Sequence, residues 1–170
     1  MDSKIKVLGH PVHQTLIVLP LGLFAAAVVF DVVHAFGDDA TMAVVAYWMI
    51  TAGIVGGLLA APFGTIDWLA IPKGTRAKRI GALHGVGNVI VIGLFAVNWL
   101  MRYEAPADPG ALPIVLSGLA VALALFTAWL GGELVDRLAV GVYAGAHLNA
   151  PSSLSGLPAS ERTHTAPASH

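Results

Sequence analysis

Apolar positions along the chain fall into four long runs separated by short polar breaks. The runs cover residues 14–36, 41–68, 80–101 and 112–130. About 20 helical residues suffice to cross the roughly 30 Å of a bilayer's hydrocarbon, so each run is long enough to span a membrane. The first is interrupted only by Asp31 and His34 near its far end, and the fourth carries no charge. The breaks at Gly37-Asp38-Asp39 and Ala105-Pro106-Ala107-Asp108-Pro109-Gly110 have turn chemistry. Pro11 suits a first helical turn, where its missing N–H does no harm. Pro62 and Gly64 predict a kink or fraying in the last turns of the second run. Tyr47, Trp48, Trp68, Trp99, Tyr103 and Trp129 fall near the ends of the runs, as interfacial aromatics do.

Composition agrees. Of 170 residues, 56% are hydrophobic and only 11% are charged, with a mean hydropathy of +0.77. A soluble domain carries about 25% charged residues, so this chain lacks the polar surface to dissolve alone. There is no cysteine, which excludes disulfides, thiolate-held iron–sulfur clusters, covalently attached c-type haem and a cysteine nucleophile. The first apolar run is too long for a signal-peptide core and no small-x-small cleavage site clearly follows it, so no cleavable leader is expected.

Charge placement adds an orientation. Lys4, Lys6, Lys73, Arg76, Lys78, Arg79, Arg137 and Arg162 fall on one side of the four spans, and Arg102 alone on the other. Positive residues accumulate on the cytoplasmic side, so both termini are expected there, in a bacterial inner membrane. Short connections favour an all-α, antiparallel up-down four-helix bundle over residues 1–145. Gly53 with Gly57, and Gly81 with Gly85, sit four apart on their helices and suit close packing. From Asn149-Ala150-Pro151-Ser152-Ser153 the sequence turns rich in Pro, Ser, Ala and Thr, and 146–170 reads as a disordered cytoplasmic tail. His164 and His170 lie in it, with no role assigned.

With that topology, ionisable groups from all four spans meet one layer: His10 and His13, Asp67, His84, and Glu133. Intramembrane ionisable groups are costly and mark function by default. Residues three apart share a helical face, so His10 and His13 can point into one pocket. Asn88, four residues after His84, lies on its face and can orient the imidazole. One reading makes His13 and His84 the axial ligands of a non-covalent b-type haem, with His10 as the alternative to His13. Arg76, Lys78 or Arg79 would then meet the propionates, and Gly81 and Gly85 would leave room for the macrocycle. A second reading gives His10, His13, Asp67, His84 and Glu133 to a zinc-type hydrolytic site, although no compact motif fixes the spacing. A third has no cofactor: the histidines bond across the bundle, Asp67 pairs with Arg76 or Arg79, and Glu133 pairs with Arg137. At the other edge, Asp31 and His34 are three apart and suited to pair with each other. No polar chain links the two edges, and no internal repeat is evident, which argues against a transporter.

Several stretches resemble one known family. Gly9-His10-Pro11-Val12-His13 followed by Leu19-Pro20-Leu21-Gly22 resembles the opening signature of the bacterial membrane family catalogued as domain of unknown function 2231. Gly64-Thr65-Ile66-Asp67-Trp68 is similar to the end of its second helix. Thr75-Arg76-Ala77-Lys78-Arg79 leading to Leu83-His84 and Asn88 is similar to its third-helix signature, and Gly131-Gly132-Glu133-Leu134-Val135 with Val140-Gly141-Val142 to its closing one. The likeness covers residues 9–142 and departs from the pattern at Asp136 and Leu138. It implies four membrane helices and no established activity. Some relatives carry a Rieske-type iron–sulfur domain, which implies a redox carrier or subunit rather than a stand-alone enzyme. The expected partners are the lipid bilayer, a Rieske-type or other redox protein and a second copy of the chain, with no nucleic acid.

Overall fold

The computed structural model describes residues 1–161, so Arg162, His164, His170 and the end of the expected tail lie outside the described residues. A two-stranded ladder opens the chain, β1 (Lys6–Val7) against β2 (His10–Pro11). Leu8 and Gly9 between them both have positive φ, at 50° and 81°, as a tight two-residue hairpin turn requires. Five helices follow: α1 (Val12–Leu16), α2 (Val18–Gly37), α3 (Ala40–Ala70), α4 (Arg76–Arg102) and α5 (Ala111–Gly132). A π turn, Glu133–Arg137, continues α5. Taken together with their short extensions, the helices make four spans long and apolar enough to cross a membrane.

The ends of these helices follow local chemistry. Asp39 caps α3 by accepting from the Thr41 amide at 2.8 Å, and Thr75 caps α4 by accepting from the Lys78 amide at 3.1 Å. Asp38 adopts the left-handed conformation that stops α2, its amide reaching the His34 carbonyl at 2.9 Å. The first span divides at Ile17 because Pro20 has no N–H to offer the Leu16 carbonyl. Pro62 and Gly64 do not end α3, which runs on to Ala70. Proline removes only its own donor, the one the Leu58 carbonyl would accept, and α3 continues past that single lost bond.

The four spans close a ring, with α2 against α3, α3 against α4, α4 against α5 and α5 against α2. At its centre Phe24 and Phe95 stack 3.9 Å apart with planes 2° off parallel. Ala27, Ala46, Ile50, Val91, Ala120 and Ala124 pack around them. Gly53 is where Phe24 crosses α3: a Cβ there would meet the ring at 2.5 Å. Gly57 admits Ile92 and Pro20 in the same way, and Gly81 admits Trp68. The small residues thus seat large side chains, whereas Gly85 faces open space. Val29, Val55, Leu58, Leu59, Val89 and Leu119 are among the apolar residues left exposed around the outside, as a bundle solvated by lipid requires.

One end of the ring is covered. The N-terminal segment folds back over it and binds the chain beyond the π turn. The Met1 amine donates to the Ala139 carbonyl at 2.7 Å, the Gly141 amide to the Met1 carbonyl at 2.8 Å, and the Tyr143 hydroxyl to the Gly9 carbonyl at 2.6 Å. Lys6 lies 4.1 Å over the Tyr143 ring. Residues 138–161 contain no helix or strand and are held in successive turns.

Candidate functional site

His13 and His84 meet under this cover. The rings are 6.4 Å apart between centres and perpendicular, at 88°. Each spends its Nδ1 on a carbonyl of the neighbouring helix: His13 on Ala60 of α3 at 3.0 Å, and His84 on Thr127 of α5 at 2.8 Å. A carbonyl only accepts, so both rings carry their proton on Nδ1 and present a basic Nε2 when neutral. Glycines make the approach feasible. A Cβ at Gly64 would strike the His13 ring at 2.6 Å, and one at Gly131 would press the His84 ring at 3.1 Å.

Asn88 lies beside His84, one helical turn further along α4. Its amide nitrogen lies 3.2 Å from His84 Nε2 and donates to the His84 carbonyl at 2.9 Å. Its Oδ1 accepts from the Thr127 hydroxyl at 3.0 Å. Thr127 therefore serves His84 twice, once through its carbonyl and once through Asn88. Its signal in the sequence was weak: one of two hydroxyls, with Ser117, in an otherwise apolar run.

The remaining candidates are distributed around the pair rather than gathered onto it. His10 is exposed on β2. Asp67 fastens the N-terminal segment, accepting from Ser3 Oγ at 2.7 Å and from the Lys4 amide at 2.6 Å, instead of pairing with Arg76 or Arg79. The chain before β1 folds back onto α3 and reaches this carboxylate first. Glu133 pairs with Arg76 at 2.6 Å and not with Arg137. The reason is the π turn: the Leu138 amide bonds the Glu133 carbonyl five residues back, at 3.2 Å, so residues four apart no longer stack. Lys78 donates to the Trp68 and Leu69 carbonyls and lies 4.1 Å over the Trp68 ring, while Arg79, in the first turn of α4, is exposed and forms no ion pair among the described residues. Gly81 is filled by Trp68, so it leaves no room beside His84. Among the described residues no three His, Asp or Glu side chains converge on a common point.

The far end of the ring holds a site that sequence reasoning missed. Asp31 does not pair with His34. It receives both Nη atoms of Arg102, at 2.6 and 2.8 Å, and both side chains are fully buried. Arg102 Nε donates to Asn98 Oδ1 at 2.6 Å and Nη2 to Ser117 Oγ at 3.1 Å. Asn98 donates onward to Ser117 Oγ at 2.9 Å and to the Pro113 carbonyl at 2.6 Å. No buried side-chain polar atom among the described residues is left without a partner. His34 instead donates Nδ1–H to the Asp39 carbonyl at 3.0 Å, tying off the α2–α3 turn.

The molecule is thus a helical membrane bundle with an apolar middle, a histidine pair at its covered end and a buried ion pair at the other. The chain belongs to the family described as predicted membrane protein (DUF2231), whose family model matches residues 9–144. No curated protein and no solved structure matches it.

Proposed function

We propose that this protein is an up-down bundle of the bacterial inner membrane with both termini cytoplasmic, whose His13 and His84 hold a non-covalent b-type haem. One observation carries the reading. Both imidazoles give Nδ1–H to a backbone carbonyl, the outer contact that metal-ligating histidines make, and so keep Nε2 for a ligand. The two rings are also close neighbours, with centres 6.4 Å apart, so one ligand could be reached by both. A ligand on His84 Nε2 would take the place of the Asn88 amide, and Asn88 would keep the His84 carbonyl and the Thr127 hydroxyl as partners. Arg79, exposed in the first turn of α4 with no ion pair among the described residues, is a cation that could meet a propionate. Bound haem supplies a one-electron carrier, and the histidine end, with its basic loop, is where a redox partner would dock.

The closed His84–Asn88–Thr127 network favours a second reading, in which the histidines stitch the helices and bind nothing. The optical spectrum of protein expressed with ample haem decides. A Soret band lost in both His13→Ala and His84→Ala supports the haem site. No band in the wild type, or a band unchanged in either variant, leaves the stitching role.

A further inference from the structure

The end of α5 carries a cleft that neither the histidine pair nor the buried ion pair uses. The π turn from Glu133 to Arg137 widens the helix where the apolar belt gives way to the charged loops. The cleft has a volume of about 200 Å³ and is lined by Trp129, Gly132, Glu133, Asp136 and Arg137. Gly132 puts no side chain into it, the nearest atom to its missing Cβ being Asp136 Oδ2 at 4.0 Å.

The two flanks differ in chemistry. On one, Trp129 stacks on Phe126 with centres 6.0 Å apart, and both rings are more than half exposed, next to exposed Leu125. Such a surface on a membrane helix faces acyl chains, with the indole at headgroup level. On the other flank the Glu133 charge is taken up by Arg76. Asp136 and Arg137 are both exposed, and neither side chain forms an ion pair or hydrogen bond among the described residues. The cleft therefore offers one free anion and one free cation beside an aromatic wall.

We propose that this cleft seats the headgroup of a zwitterionic phospholipid bearing a primary ammonium. Arg137 takes the phosphate, Asp136 takes the ammonium, and the chains lie along Trp129 and Phe126. A headgroup with negative charge alone meets the Asp136 carboxylate as a like charge. A quaternary ammonium has no N–H to give a carboxylate and relies on an aromatic cage, whereas this cleft has a single indole.

Native mass spectrometry of the delipidated full-length protein in detergent tests this, with equimolar phosphatidylethanolamine, phosphatidylcholine and phosphatidylglycerol of matched chains. Retention of phosphatidylethanolamine several-fold above the other two is expected. Asp136→Asn should erase the preference over phosphatidylcholine, and Arg137→Gln should lower retention of both zwitterions. Asp108→Asn, at the opposite end, should change nothing. Equal retention of the three lipids by the wild type overturns the proposal, as does a preference for phosphatidylglycerol or one that survives both substitutions. The wild-type comparison needs no variant, and among the described residues neither side chain forms a hydrogen bond or ion pair whose loss would weaken the bundle.

Discussion

Arg102 on α4 holds Asp31 on α2 through both carboxylate oxygens, and Asn98 and Ser117 take up the guanidinium's other side. Four polar side chains from three helices thus neutralise one another in a layer with no access to water. Removing one partner of such a pair strands a buried charge at a cost of about 3–5 kcal/mol. Arg102→Gln and Asp31→Leu should each lower the unfolding midpoint steeply in mixed micelles. The double variant Asp31→Leu with Arg102→Met should recover part of the loss, because nothing charged is then left behind. A double variant as unstable as the sum of the two singles would mean the residues act independently.

The crossing of α2 and α3 depends on Gly53 in a way that it does not depend on Gly22. A methyl group at Gly53 meets the Phe24 ring, while one at Gly22 meets nothing within 4 Å. Gly53→Ala should therefore cost about 1–3 kcal/mol as overpacking, and Gly22→Ala should be neutral or stabilising. Adding Phe24→Leu to Gly53→Ala should return part of the stability. Matched thermal unfolding of the four proteins checks this, and equal effects at Gly53 and Gly22 would refute it.

The spans were legible because lipid imposes simple demands. Hydrocarbon requires long apolar helices, and an ionisable residue within one requires a partner. What the sequence concealed was rotation. Asp31 and His34 are three apart and share a helical face in principle, yet Asp31 turns inward to Arg102 and His34 turns to the Asp39 carbonyl. A signal was present: in the charge reading Arg102 is the one Lys or Arg expected at the end where Asp31 lies, and an isolated intramembrane acid calls for a base. The Glu133–Arg76 pair was hidden for another reason. It depends on a π turn, and i,i+4 arithmetic assumes α winding. The fold-back of residues 1–11 onto Asp67 is a long-range contact with no local periodicity to betray it.

That fold-back gives a third prediction. Asp67 is the residue of α3 that fastens the N-terminal segment, through Ser3 Oγ and the Lys4 amide. Hydrogen bonds to a charged group are worth about 1.5–3 kcal/mol. Asp67→Ala should speed amide hydrogen exchange in residues 3–11 by an order of magnitude or more, with exchange in the α2–α5 core little changed. Ser3→Ala, which keeps the backbone contact, should have a smaller effect of the same kind. Uniform acceleration across the whole chain would show that Asp67 supports the bundle and not the cover.

The state of His84 can be read directly. Its Nδ1 faces the Thr127 carbonyl, so the proton must sit there, and the Asn88 amide then donates to Nε2. In haem-free protein, ¹⁵N spectra of labelled histidine should show His84 protonated on Nδ1. Asn88→Leu should leave that tautomer in place, because the Thr127 carbonyl is untouched, and should shift only the Nε2 resonance as its donor is lost. Thr127 keeps the Ala124 carbonyl as a partner at 2.9 Å, so the stability cost should stay near 1 kcal/mol. The same variant separates the two functional readings. If His84 ligates haem, Asn88→Leu removes a competitor for Nε2, and the Soret band should persist or strengthen while His84→Ala abolishes it. If the network only joins helices, Asn88→Leu loosens the α4–α5 contact and no band appears in any of the three proteins. A proton found on His84 Nε2 would sink both the tautomer assignment and the ligation geometry built on it.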